Sequence, residues 1–204
     1  MRPAAARDDA TAWLLLCALA VAGALGLALA GPALTPWLDW QPARWASQPW
    51  RLWTAALVHW SPAHLAMNAA AAVLLAWLGW RAHARRADAL AWALAWPCTH
   101  LGLLLQPGLR HYGGLSGVLH AAVVILALRL LQQPGPARPR WVGGLLLAGL
   151  AAKLLLEAPW HLALRPLPEA GFAVAPLAHA SGATAGLLAA LACRAWPRRP
   201  PSSP

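Results

Sequence analysis

Six apolar runs, at about 12–30, 62–80, 87–105, 115–131, 141–158 and 174–195, constrain this chain more than any other feature. A helix rises 1.5 Å per residue, so about 20 apolar residues cross a hydrocarbon core about 30 Å thick. Inside lipid every backbone N–H and C=O must be paired within the protein, which leaves helices or closed barrels, and runs of this length select helices. The expected fold class is therefore an all-α membrane protein, a bundle of six transmembrane helices in which residues 1–204 form one domain. The Pro-rich linker 132–140 and the tail 196–204 are expected to be loose. With 60% hydrophobic and 11% charged residues, no stretch is left over for a soluble domain.

The first run carries Ala28-Leu29-Ala30, which has the small-x-small look of a signal-peptidase site. It exceeds a usual signal core and is flanked by Asp8 and Asp9, so it reads as an uncleaved span. Residues 31–60 form a loop with four prolines and six of the fourteen tryptophans, a density that marks the membrane-water interface.

The net charge of +10 raises nucleic acid as a partner, but the placement of the charge argues against it. With the N-terminus inside, eleven of the sixteen basic residues fall in internal segments: Arg2, Arg7, Arg81, Arg85, Arg86, Arg129, Arg138, Arg140, Arg194, Arg198 and Arg199. Only Arg44, Arg51, Arg110 and Arg165 are external, and Lys153 lies within a span. This is the positive-inside bias, so the charge sets topology. The three cysteines, Cys17, Cys98 and Cys193, sit unpaired inside apolar runs and indicate neither a disulfide framework nor zinc.

Polar residues inside apolar spans are functional candidates by default, and here they are few: His64, Asn68, Ser116, His120, Lys153, Glu157 and His179. Measured along a helix from the nearest internal arginine, Asn68, Ser116 and Lys153 each lie about 20 Å away, and His179 about 22 Å. Four helices thus bring polar groups to one level, roughly 10 Å below the outer face of the core. Ser116 follows Gly113-Gly114-Leu115 and precedes Gly117, at the start of its helix, where unpaired N–H groups favour an anion. Serine needs a base to become a nucleophile, and His179 is the candidate. Gly182 and Gly186 form a GxxxG face that lets the last helix pack closely enough to bring His179 to Ser116. His64 and Asn68, four apart, share a helix face and can donate to a developing oxyanion beside the Ser116 N–H.

Lys153 and Glu157, also four apart, read as a buried ion pair that supports the helix rather than touching substrate. His59 is expected to be structural: its spacing from His64 matches no common zinc pair, and no metal or other cofactor is expected. Arg51, beside Trp50, is expected to anchor the first loop. His83, His100, His111 and His161 lie near run ends and are given no role.

Taken together, Trp50-Arg51, His59 with His64 and Asn68, Gly114-Leu115-Ser116-Gly117, and His179 with Gly182 and Gly186 resemble the rhomboid family of intramembrane serine proteases over about residues 45–195. The resemblance implies a rhomboid-like six-helix bundle in which Ser116 and His179 form a catalytic dyad and His64, Asn68 and the Ser116 amide form the oxyanion hole. Where many members carry a tyrosine that stacks on the catalytic histidine, this chain has His120. The Gly-Leu-Ser-Gly-Val-Leu-His string, Lys153 with Glu157, and Ala175-Pro176 before Ala178-His179 look more like the rhombosortase branch.

That branch implies membrane-anchored substrates with a C-terminal Gly-Gly motif, a membrane helix and an arginine-rich end. It also implies a place in a bacterial inner membrane, with both termini cytoplasmic and the active site open to the periplasmic side. A general rhomboid protease, an inactive rhomboid-like binding protein and a proton-coupled transporter using Lys153, Glu157 and His120 are the competing expectations. The last predicts inverted repeats, and none is visible in the chain.

Overall fold

The computed structural model describes residues 5–133 and 140–195; the tail 196–204 and most of the linker lie outside the described residues. Six long helices dominate: α1 (Ala5–Ala30), α4 (Pro62–Arg81), α5 (Arg86–Leu101), α6 (Ser116–Leu131), α7 (Arg140–Glu157) and α8 (Pro176–Ala195). Two single-turn helices, α2 (Thr35–Leu38) and α3 (Arg51–Thr54), order the first loop. Ala10–Ala30, Pro62–Arg81 and Pro176–Ala195 are each long and apolar enough to cross a membrane by length and composition, and Ser116–Leu131 is apolar but shorter. Large side chains such as Leu29, Val73, Leu74 and Leu156 stand more than half exposed. That surface would be costly in water and is at home against lipid tails, so the protein is an all-α membrane bundle.

Local chemistry sets the helix ends that matter. Ser61 caps α4 by accepting the His64 N–H at 3.1 Å, and Pro62 starts it with φ already fixed. Asp88 Oδ2 accepts the Arg85 N–H at 2.8 Å at the start of α5. That helix runs through Pro97 to Leu101 and tightens into a 3₁₀ turn, Gly102–Leu105, so the third apolar run is not α-helical to its end.

Between helices in lipid the burial of apolar surface supplies little drive, and close backbone approach replaces it. The tightest seam joins α6 to α8. A Cβ placed on Gly186 would come within 2.6 Å of the Ala121 carbonyl oxygen, and one on Gly182 would overlap the Gly117 carbonyl. Ser181 Oγ donates to the Thr99 carbonyl at 2.8 Å, tying α8 to α5. Trp92 Nε1 donates to the Val118 carbonyl at 2.9 Å, tying α5 to α6. Fully buried Trp13 stacks on Trp92 at 4.7 Å and donates to the Leu75 carbonyl at 3.0 Å, which seats α1. Helix α7 is peripheral, with only Gly143 and Leu150 buried along it.

The first loop is clamped by Arg51, the residue expected to anchor it. Arg51 is fully buried. Its Nη1 donates to the Asp39 carbonyl at 2.6 Å and to Asp39 Oδ1 at 3.0 Å, its Nη2 to the Pro36 carbonyl at 2.9 Å, and its Nε to Gln48 Oε1 at 2.6 Å. Asp39 Oδ2 lies 2.6 Å from His111 Nδ1, and Trp40 and Tyr112 exchange backbone bonds of 2.8 and 3.0 Å. The loop thereby fixes the segment that leads into Ser116. Arg51→Met, which leaves Asp39 buried without its cation, is expected to cost about 3 kcal/mol, read as a lower melting temperature in detergent.

A short antiparallel hairpin, β1 (Arg165–Leu167) and β2 (Phe172–Val174), turns at Gly171 between α7 and α8. Nothing in the hydropathy pattern pointed to it.

Candidate active site

Ser116 is the first residue of α6, so its N–H has no partner earlier in that helix. The turn before it is crowded. Gly114 has φ of 133°, and a Cβ there would lie 2.8 Å from His64 Nε2; a Cβ on Gly117 would lie 2.7 Å from the Ala178 carbonyl oxygen. These two glycines let α4 and α8 converge on the serine. Tyr112 braces the turn by donating its hydroxyl to the Gly114 carbonyl at 3.0 Å, and burial pushes its pKa up to about 12, so it stays a donor.

His179 is buried on α8, with Nε2 3.0 Å from Ser116 Oγ and Nδ1 2.7 Å from Glu157 Oε2. A carboxylate oxygen can only accept, so the proton sits on Nδ1 and Nε2 is left to accept from the serine hydroxyl. Lys153 pairs with Glu157 Oε1, and its Nζ is also 3.2 Å from His179 Nδ1. The imidazole of His120 stacks on that of His179, centroids 4.1 Å apart at 12°, while its Nδ1 donates to the Ser116 carbonyl at 2.6 Å. His120 thus holds the His179 ring against the start of α6.

Across the cavity, Asn68 Nδ2 lies 3.0 Å from His59 Nε2, and His59 Nδ1 lies 3.0 Å from the Leu57 carbonyl. The carbonyl can only accept, so His59 carries its proton on Nδ1 and its Nε2 accepts from the Asn68 amide. Burial also lowers the His59 pKa, which keeps the ring neutral in that role. The carboxamide is thereby fixed with its NH₂ as donor, one hydrogen spent on His59 and the other free. His64 Nδ1 faces the Trp60 N–H at 3.5 Å, which leaves its Nε2–H for the cavity.

A cavity of about 360 Å³ connects these groups, lined among others by His64, Asn68, Ser116, Lys153, Glu157 and His179. Phe172 of the hairpin roofs it, its ring stacked on His64 at 4.3 Å and 9°. All the polar residues singled out within apolar spans, His120 included, therefore line one space. Gly182 and Gly186 sit in the α6–α8 seam below it. Two histidines that carry no role in the sequence reading are tied to the first loop: His100 Nδ1 is 2.7 Å from the Leu52 carbonyl, and His111 holds Asp39. Phe172 was not anticipated, although it is the only phenylalanine in the chain and stands in the connection between α7 and α8.

A serine hydroxyl bonded to an imidazole, with donors facing it across a small cavity in an apolar bundle, is equipment for attack on a carbonyl. No group of three or more His, Cys, Asp or Glu among the described residues is placed to hold a metal ion. No curated protein and no solved structure matches the chain. The Rhomboid domain family does, over residues 46–196, a stretch that runs from just before Arg51 to the end of α8 and holds every residue of the cavity. On that match the chain belongs to the rhomboid family, integral membrane proteins that as a family are intramembrane serine proteases acting on membrane protein substrates.

Proposed function

We propose that this chain is an intramembrane serine endopeptidase in which Ser116 is the nucleophile and His179 its base. The observation that carries the reading is the 3.0 Å Ser116 Oγ to His179 Nε2 contact inside the bundle. His179 takes the hydroxyl proton as Oγ attacks the scissile carbonyl, and the oxyanion is held by the Ser116 N–H, His64 Nε2 and Asn68 Nδ2. The imidazolium then protonates the leaving amine, and water, or an amine acceptor, resolves the acyl-enzyme.

The substrate proposed is an exported protein anchored by a C-terminal Gly-Gly motif, a membrane helix and a basic cluster, as in the rhombosortase branch. Helical peptide bonds are shielded, and glycine, about 1 kcal/mol worse than alanine in a helix, makes local unwinding easier. Arg81, Arg85, Arg86, Arg129, Arg140 and Arg194 gather at the ends of the spans away from the cavity. Their placement supports cytoplasmic termini and a site open to the periplasmic face of a bacterial inner membrane, with the spans forming one six-helix domain.

Asn68→Ala is expected to lower kcat about 10²-fold with little change in KM, because an oxyanion donor acts mainly in the transition state. The substrate reading is tested with two membrane-inserted reporters, one carrying the Gly-Gly, helix and basic tail and one an ordinary single-span substrate. Cleavage of the tailed reporter alone, lost in Ser116→Ala, is the expected result. Equal cutting of both makes the chain a general rhomboid protease, and cutting of neither favours the binding-only reading.

A further inference from the structure

We infer that Glu157 is the third member of the catalytic group, a positioning residue that sets the tautomer of His179, and that Lys153 is the residue it must hold off. The inference rests on the protease reading above and goes beyond its dyad. The sequence presents Lys153 and Glu157 as a buried i, i+4 ion pair that supports its helix. In the structure the pair is not buried as expected: at the C-terminal end of α7, where Ala158, with φ of 44°, ends the helix directly after Glu157, the Glu157 carboxylate is largely covered at the cavity while the Lys153 side chain is 43% exposed. The two carboxylate oxygens have different partners, Oε1 the Lys153 ammonium and Oε2 the His179 Nδ1.

Two groups compete for Nδ1. Glu157 Oε2 accepts from it at 2.7 Å, and Lys153 Nζ lies 3.2 Å away. An ammonium can only donate. If Lys153 took Nδ1, the imidazole proton would move to Nε2 and face Ser116 Oγ, where it would block the base. Glu157 prevents this twice over, by accepting the Nδ1 proton and by engaging the lysine. During the reaction the serine proton passes to Nε2, the Nδ1–H stays in place, and Glu157 faces the imidazolium without taking a proton. The proton then leaves from Nε2 to the departing amine, so no proton is gained or lost at Glu157.

Glutamine at 157 makes the competition measurable. The Lys153 ammonium would claim the amide oxygen and turn the NH₂ toward Nδ1, which enforces the wrong tautomer. With Lys153→Met as well, the amide oxygen is free to rotate and accept from Nδ1. The full chain in detergent is assayed for kcat and KM on a cleavable membrane reporter, with melting temperatures in parallel. Glu157→Gln is expected to lower kcat about 10²–10³-fold, short of the loss for a fully enclosed triad carboxylate, with KM little changed. Glu157→Asp is expected to recover part of the loss, Lys153→Met to lose less than about tenfold, and Glu157→Gln with Lys153→Met to exceed Glu157→Gln alone by several-fold.

A purely structural salt bridge gives a different pattern: Lys153→Met as damaging as Glu157→Gln, losses that follow the melting temperature, and no gain in the double variant. That pattern overturns the inference, as does wild-type kcat in Glu157→Gln. Because Ser116→Ala is run alongside, the two readings fail separately. Cleavage that persists in Ser116→Ala removes the protease reading itself, whereas cleavage lost in Ser116→Ala but kept in Glu157→Gln removes only the third member.

Discussion

Ser116→Ala is expected to abolish cleavage of any membrane substrate, a fall of about 10⁶-fold in kcat, while leaving the melting temperature within about a degree of wild type. The size follows from the chemistry: without Oγ there is no acyl-enzyme, and the oxyanion donors can assist only the slow direct attack of water. The stability is spared because the change removes one hydroxyl, and His179 keeps its bond to Glu157 and its stack on His120. His179→Ala is expected to fall as far, and the double variant no further, because a nucleophile and its base act as a unit. Additive losses would mean that the two side chains do separate jobs. The check is single-turnover cleavage in detergent, with melting curves on the same samples.

Gly182→Val is the second large effect, and it acts on the fold. A Cβ at this position would overlap the carbonyl of Gly117, which is backbone and cannot swing aside. Overpacking usually costs 1–3 kcal/mol, and a clash with backbone at the tightest helix seam belongs at or above the top, about 3 kcal/mol. Since α6 carries Ser116 and α8 carries His179, the separation that relieves the clash also breaks the 3.0 Å contact between them. Loss of both melting temperature and cleavage is expected. Gly149→Ala on α7 is the control: nothing lies within 4 Å of its added Cβ, so stability should hold or rise slightly. Equal damage from both substitutions would contradict the account of the seam.

These expectations also separate what a one-dimensional reading can reach from what it cannot. An all-α membrane bundle was legible because each apolar run is helical over most of its length, and a helix satisfies its own backbone. The meeting of Ser116 and His179 left two local traces, equal depth from the internal arginines and a GxxxG face beside the histidine. Asn68 and His64 were legible as one helix face. What was not legible depends on how elements dock. Glu157 looked like the partner of Lys153 because helical spacing is visible in sequence, whereas its bond to His179 depends on the side chains that α7 turns inward. His59 acts on Asn68 nine positions away through a loop that folds back on α4, and Arg51 reaches its partners only once α2 and α3 have formed. Phe172 sits in a hairpin of three-residue strands, too short to leave a period, and its place over His64 is a tertiary fact.

The central claim is that Ser116 is a nucleophile activated by His179 within the membrane. A serine-directed fluorophosphonate, applied to the protein in lipid bilayers and followed by peptide mass mapping, tests it most directly. The expected result is a single adduct on Ser116 that is lost in His179→Ala and blocked by a cleavable substrate. An adduct on another serine, or equal labelling of Ser116 when His179 is alanine, would contradict it.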